Sequence, residues 1–325
     1  MDNQAQLSWE ARFGRMAAAS AFLSIVAEVT SSALQISASS GAPSRDDPLR
    51  YSGTLLNFHD HSGTVLASAI AHGVAAIFAA GALFYLFRAT RHRRAQLPQI
   101  VQWLIPLAPV LITVAAIANW SGLNDAADKY ESPSARAAIK ATPNKDQRED
   151  IAKYCRDHAR GTDAIKACES TRGRQEAVAK KLVQDNQGAL GAGALFAGTV
   201  ALAFAFVIIA LNAMRAGLLS RFMGILGIIA GALIVLPLIP GIPVVQIFWL
   251  GAVGALYLGV WPGGRGPAWE TGEDDPWPTP QARIGLPEDE EEGSDEPDQA
   301  EEPESEEEPA KPHPASKKRK RKRKR

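Results

Sequence analysis

Cysteine is scarce in this chain, with Cys155 and Cys168 the only two, and the familiar catalytic motifs are missing. There is no glycine-rich phosphate-binding loop, no His-Glu-x-x-His signature and no Gly-x-Ser-x-Gly nucleophile elbow. P-loop phosphate chemistry, zinc-protease chemistry and α/β-hydrolase chemistry therefore have no support. No run alternates apolar and polar residues as a half-buried strand does, and no internal repeat stands out. A non-enzymatic protein is the expectation, with no cofactor and no defined small-molecule ligand.

Long apolar stretches are what the chain has instead. A helix rises about 1.5 Å per residue, so about 20 apolar residues cross a hydrocarbon core of roughly 30 Å. Six windows qualify: Ala17–Ser37, Gly63–Phe87, Ile100–Trp120, Ala189–Ala210, Phe222–Leu238 and Val244–Trp261. The expected fold is all-α, a polytopic transmembrane bundle of about six spans. It divides into three spans over residues 1–120, a helical extracytoplasmic loop over 121–188, three more spans over 189–262, and a tail over 263–325. Ile239-Pro240-Gly241-Ile242-Pro243 cannot continue a helix and reads as a tight re-entry turn between the last two spans. One kinked element or a re-entrant pair is the alternative there. The small residues Ser37-Ala38-Ser39 offer a signal-peptide cleavage site after the first stretch. The length of that stretch, and Glu28 within it, favour a retained span.

Orientation follows from Lys and Arg in the short loops. Arg12 and Arg15 precede the first span, Arg88, Arg91, Arg93 and Arg94 follow the second, and Arg215 and Arg221 lie between the fourth and fifth. With six spans all three groups share a side, which predicts a plasma-membrane protein with both termini cytoplasmic. Residues 121–188 then face outward; a loop this long crosses largely regardless of its own charge.

The formal net charge of zero hides strong segregation. Glu288–Glu308 holds fourteen acidic residues and no basic one, and Lys317–Arg325 is nine consecutive basic residues. Such blocks repel themselves and bury too little apolar surface to fold, so the chain from about residue 266 onward is expected to be disordered. The basic run, Lys317, Lys318, Arg319, Lys320, Arg321, Lys322, Arg323, Lys324 and Arg325, suits polyanions: anionic lipid head groups or nucleic acid phosphates. No aromatic residue interleaves it, so base stacking is not indicated. The acidic block can fold back and mask it, and a solvated tail without specific function is the plain alternative. Trp269 and Trp277 are expected at the membrane surface.

Cys155 and Cys168 both fall in the outward loop, an oxidising compartment that permits a disulfide. Asp146–His158 and Thr162–Arg172 read as helices broken at Gly161, a hairpin that a bridge can close, at a gain of about 2–4 kcal/mol. Free thiols, or a metal held by Cys155, His158 and Cys168, are the alternatives, but zinc lacks a fourth ligand here. Arg174–Gln187 is expected to run straight into the fourth span as one helix.

Glu28 in the first span and His72 in the second are the polar residues that most need an explanation. A carboxylate at that depth costs several kcal/mol unless protonated, paired or facing a polar cavity. Antiparallel spans bring the two to similar depth, with Thr30, Ser31, Ser32 and Ser68 nearby. The readings are a hydrogen bond locking two helices or a proton relay. His59, Asp60 and His61, with Asp46 and Asp47, read as an interfacial polar cap rather than a metal site. Gly227 with Gly231, and Gly251, Ala255 and Gly259, are small-xxx-small patterns for close packing within one chain, a homo-oligomer face being the alternative. Trp103, Trp120, Trp249 and Trp261 are expected to anchor at the interfaces, and Pro106 and Pro109 to bend the third span.

The segments Met214-Arg-Ala-Gly-Leu-Leu-Ser-Arg-Phe-Met-Gly-Ile-Leu-Gly-Ile-Ile-Ala-Gly231 and Trp261-Pro-Gly-Gly-Arg-Gly-Pro-Ala-Trp-Glu-Thr-Gly-Glu273 resemble uncharacterised multi-pass bacterial membrane proteins of the domain-of-unknown-function kind. The resemblance covers residues 214–273. It implies a bacterial plasma membrane and brings no activity with it. Two functions stay in view: a membrane protein whose outer loop and charged tail are interaction surfaces, or a small proton-coupled transporter using Glu28 and His72.

Overall fold

The computed structural model describes residues 2–44, 50–140, 148–149, 152–153, 155–156, 171–186, 189–236, 243–262 and 264–277. The described helices are α1 (Asn3–Ser39), α2 (Arg50–Arg93), α3 (Val101–Glu131), α4 (Pro133–Lys140), α5 (Thr171–Asn186), α6 (Ala189–Arg215), α7 (Arg221–Val235), α8 (Val244–Leu258) and α9 (Ala268–Thr271). No strand occurs among the described residues. Residues 1–277 form one compact unit; the rest, including Lys317–Arg325, lie outside the described residues.

Four helices, α1, α2, α3 and α6, are long and apolar enough to cross a membrane. Helices α7 and α8 are equally apolar but have 15 residues each, about 22 Å at helical rise and short of a 30 Å core. Large apolar side chains face outward along the long helices, among them Val26 and Val29 on α1, Ile70 and Ile77 on α2, and Val110 and Val114 on α3. A water-soluble monomer rarely exposes so much contiguous apolar surface.

Helices α1 and α2 pair along most of their length because their facing side chains are small. Ala17, Ala18 and Ala21 on α1 and Ala75, Ala79 and Ala82 on α2 are all buried. A Cβ on Gly81 would sit 2.6 Å from Ser20 Oγ, so a larger residue there would push the Ser20 hydroxyl aside. Hydroxyls then stitch the pair. Ser20 donates to the Phe78 carbonyl at 2.7 Å, Ser24 to Ala75 at 2.8 Å and Ser31 to Ser68 at 2.9 Å. Each such bond is worth about 0.6 kcal/mol in a bilayer. Helix α1 is thus an integral member of the bundle. It starts at Asn3, not Ala17, because its first turns pack at one end of the bundle rather than in an apolar span.

That end is the basic one. The start of α1, the end of α2, the α6–α7 turn, the end of α8 and α9 converge there. Trp269 on α9 is 6 % exposed, and its indole N–H donates to the Leu218 carbonyl at 2.9 Å. Tyr85 stacks on both Trp269 and Trp9 and meets Tyr257 edge-on, with Tyr85–Tyr257 centroids 4.7 Å apart. The expectation of disorder is corrected for residues 266–277, as is that of Trp269 lying on the membrane surface; the tail beyond residue 277 lies outside the described residues. Pro267, Ala268 and Trp269 follow the left-handed Gly264, and burial of one indole with its N–H satisfied anchors the segment. Trp249 is likewise no interface anchor: it is 1 % exposed, bonded to the Met223 carbonyl at 2.9 Å. Gly259, at φ +76°, caps α8 rather than forming a packing face. Gly227 and Gly231 do pack within the chain, on Ala210 and Val207 of α6. Helix α3 continues through Pro106 and Pro109.

At the opposite end α2 and α3 extend beyond their apolar windows. Helix α2 has 44 residues, about 66 Å. Leu55 and Phe58 of α2, Ala126 and Tyr130 of α3, Ile139 of α4 and Val183 of α5 form a second apolar cluster. Helix α5 ends at Asn186 and α6 begins at Ala189, with Gln187 and Gly188 between them outside the described residues.

Candidate functional site

A cavity of about 1080 Å³ lies among α1, α2, α3, α6, α7 and α8 and the end of α5 at Asn186, in the half of the bundle away from the basic end. Helical period explains its polar wall. Ser24, Glu28, Ser31 and Gln35 recur at spacings of four, three and four on α1, and Val65, Ser68, His72 and Ala75 at three, four and three on α2. Each set lies on one face, and the hydroxyl stitching turns the two faces toward the same space. Helix α6 adds Gly191, Leu195, Thr199 and Leu202, and α3 adds Ala115, Asn119 and Trp120, with Asp125 one turn beyond.

Glu28 and His72 come together as the sequence suggested. His72 Nδ1 lies 3.0 Å from Glu28 Oε2. The His72 side chain is 45 % exposed and that of Glu28 16 %, so the imidazole is the more open partner. Only one oxygen of Glu28 is engaged by a described residue. Such a pair can hold a proton between carboxylate and imidazole, and it satisfies a charge that would otherwise be costly at this depth. Thr30, expected nearby, instead donates to its own helix at Val26 O, 2.8 Å away.

The other sequence candidates separate. His59 lies 3.6 Å from Asp128 Oδ1 and 3.7 Å from Glu131 Oε2, on α2 and α3 beyond the apolar windows. His61 Nδ1 contacts the Asn57 carbonyl at 2.9 Å. No group of three metal-capable side chains occurs among the described residues; Asp46, Asp47 and His158 lie outside them. Cys155 is fully buried and disulfide-bonded, and Cys168 lies outside the described residues.

A buried ion pair at the basic end was not legible. Arg93 binds Glu10 through two nitrogens, Nη1–Oε1 at 2.6 Å and Nη2–Oε2 at 3.0 Å, with side chains 0 % and 5 % exposed. Arg93 also donates to the Ala268 carbonyl at 2.7 and 3.0 Å, Arg265 donates to the Leu256 and Tyr257 carbonyls, and Asn3 donates to Glu273 at 3.1 Å. Burial, and then the neighbouring Arg93 guanidinium, hold the adjacent His92 below the usual imidazole range. The one available signal was Glu10, an acidic residue close to Arg12 and Arg15 in the N-terminal flank. At the other end Glu176, fully buried, accepts the Tyr51 and Ser52 amides at 2.7 and 2.9 Å and so caps the start of α2.

Compared with protein-family models, curated proteins and solved structures, the chain matches none.

Proposed function

We propose that this chain is a multi-pass membrane protein whose cavity binds a small solute and whose Glu28–His72 pair moves a proton in step with it, a small proton-coupled transporter. The observation that carries this reading is that the pair lines the large cavity instead of being sealed between two helices. A hydrogen bond serving only to lock α1 to α2 has no need of such a space, and Ser20, Ser24 and Ser31 already do that work.

The proposal includes six crossings, with α7 and α8 as the short fifth and sixth, and both termini in the cytoplasm of a bacterial cell. The bond between Asn3 and Glu273 supports an even number of crossings, and the clustered Arg93 and Arg94 support a cytoplasmic basic end. The cavity would then open outward. The reading of the outer loop as an interaction surface keeps one observation in its favour, the separate apolar cluster that holds α4 and α5 on α2 and α3. The tail's engagement of anionic lipid or nucleic acid, and a homo-oligomer, are further proposals that rest on sequence alone.

The test is proton flux in liposomes holding an internal pH dye, on adding a mixed pool of small charged and neutral organic solutes. Solute-dependent flux is expected for the wild type and is abolished in Glu28→Gln and His72→Ala proteins that still fold. Equal flux in the wild type, both variants and protein-free liposomes refutes the reading.

A further inference from the structure

We infer that the cavity selects an amphiphilic organic cation, an ammonium group carried on an apolar body; this rests on the reading of the cavity as a solute site. The evidence is in how the wall spends its hydrogen bonds. Ser24 donates to Ala75 O at 2.8 Å, Ser31 to Ser68 O at 2.9 Å, Ser68 to Ser31 O at 3.0 Å and Thr199 to Leu195 O at 2.6 Å. The Trp120 indole N–H is spent on Ser62 O at 3.0 Å. A hydroxyl has one proton and two lone pairs, so each of these serines and the threonine has only acceptor capacity left for a guest. The indole keeps only its π-face, which suits a cation.

Charge points the same way. Glu28 and Asp125 line the cavity, and no Lys or Arg does so among the described residues. Lys129 bonds Asn186 Oδ1 at 2.7 Å and is itself outside the wall. His72 already engages one oxygen of Glu28. The second oxygen is bonded by no described residue, so it is the natural acceptor for an incoming N–H. An anion would meet two carboxylates, and the donors left to it, on Ser32, Gln35, Asn119, Ser121 and Gln246, are neutral and offset neither charge; a neutral guest would forgo the charge-assisted bond. Size and lining set the remainder of the ligand. About 1080 Å³ is ample for a drug-sized molecule, and Ile112, Leu202, Ile247 and Leu250 give the body an apolar surface. Asp125, an exposed residue one turn past Trp120, draws cations toward the opening.

The experiment measures binding of three fluorescent probes to the full chain in lipid nanodiscs, with empty nanodiscs subtracting partition into lipid. The probes share a dansyl body and end in a primary ammonium (dansylcadaverine), its neutral N-acetyl derivative, or a carboxylate. The ammonium probe is expected to bind at least about tenfold tighter than the other two. Glu28→Gln keeps a hydrogen-bonding partner for His72 and is expected to weaken the ammonium probe about 10- to 100-fold, and Asp125→Asn a few-fold. Thermal unfolding of each variant shows that it is folded. Equal binding of all three probes overturns the inference, as does tighter binding of the carboxylate, or an ammonium affinity unchanged in folded Glu28→Gln. If no probe binds while solute-driven proton flux persists, the cation assignment falls and the transport reading stands. If the ammonium probe binds as expected but no flux is found, the site stands and transport falls.

Discussion

Replacing Arg93 by methionine removes the centre of the basic end. The guanidinium carries both bonds to Glu10 and both to the Ala268 carbonyl, and its side chain is wholly buried. Methionine fills much of the volume but leaves the Glu10 carboxylate in a site 5 % exposed, with Gln6 Nε2 at 2.8 Å as its remaining donor. Breaking a buried pair from one side costs about 3–5 kcal/mol, because the surviving charge is desolvated and unpaired. Glu10→Leu is expected to cost a similar amount by stranding the guanidinium. The double variant tells the two origins of stability apart. With both charges gone only the neutral Gln6 amide loses its partner, and the Ala268 carbonyl still accepts the Gly272 amide at 3.1 Å. The double cost is then about 0–2 kcal/mol, a coupling of at least about 3 kcal/mol between the two sites. The assay is reversible unfolding in mixed detergent micelles, followed by circular dichroism. Additive single costs would refute the reasoning: they would mean that the two residues stabilise the bundle independently, by packing, and not as a pair.

Two further predictions concern packing and capping. A Cβ on Gly227 would lie 2.7 Å from both Ala210 Cβ and Trp249 Nε1, so Gly227→Ala is expected to destabilise by about 1–3 kcal/mol. Gly193→Ala, where a Cβ meets nothing within 4 Å, is expected to be neutral or to stabilise by about 0.5–1 kcal/mol; thermal unfolding of the two side by side checks the contrast. Glu176→Ala removes the acceptor for the Tyr51 and Ser52 amides and is expected to cost about 1–3 kcal/mol. Hydrogen exchange should accelerate at the first turns of α2 while the α1–α2 seam stays protected, and uniform protection would refute the capping role.

Hydropathy by itself determined the helical class and the location of the apolar segments, because crossing a bilayer demands a long uninterrupted run that survives in composition alone. It also singled out Glu28 and His72, since an ionisable residue inside such a run is conspicuous against its neighbours. Of the polar stripe Ser24, Glu28, Ser31 and Gln35, only Glu28 and Ser31 stood out in the sequence. Its meaning needed partners on α2, α3 and α6, which no local pattern supplies. Residues outside the runs were a different matter. Glu10, Arg93 and Trp269 carry little local signal: they are separated by 83 and 176 positions, and only the convergence of five chain segments brings them to one end of the bundle. The charge and proline content after residue 262 read as unfolded, yet one buried indole and two carbonyl contacts from Arg93 hold Gly264–Trp277 against the bundle. Composition averages over a segment, whereas a docked segment is anchored by a few side chains whose burial depends on surfaces made elsewhere in the chain. Helices α7 and α8 show the same division: their apolarity is written in the sequence, but their 15-residue lengths are set where Leu236 and Pro243 leave helical geometry. The cavity itself belongs wholly to the tertiary structure, because an empty space is defined by the helices that surround it and by no residue alone.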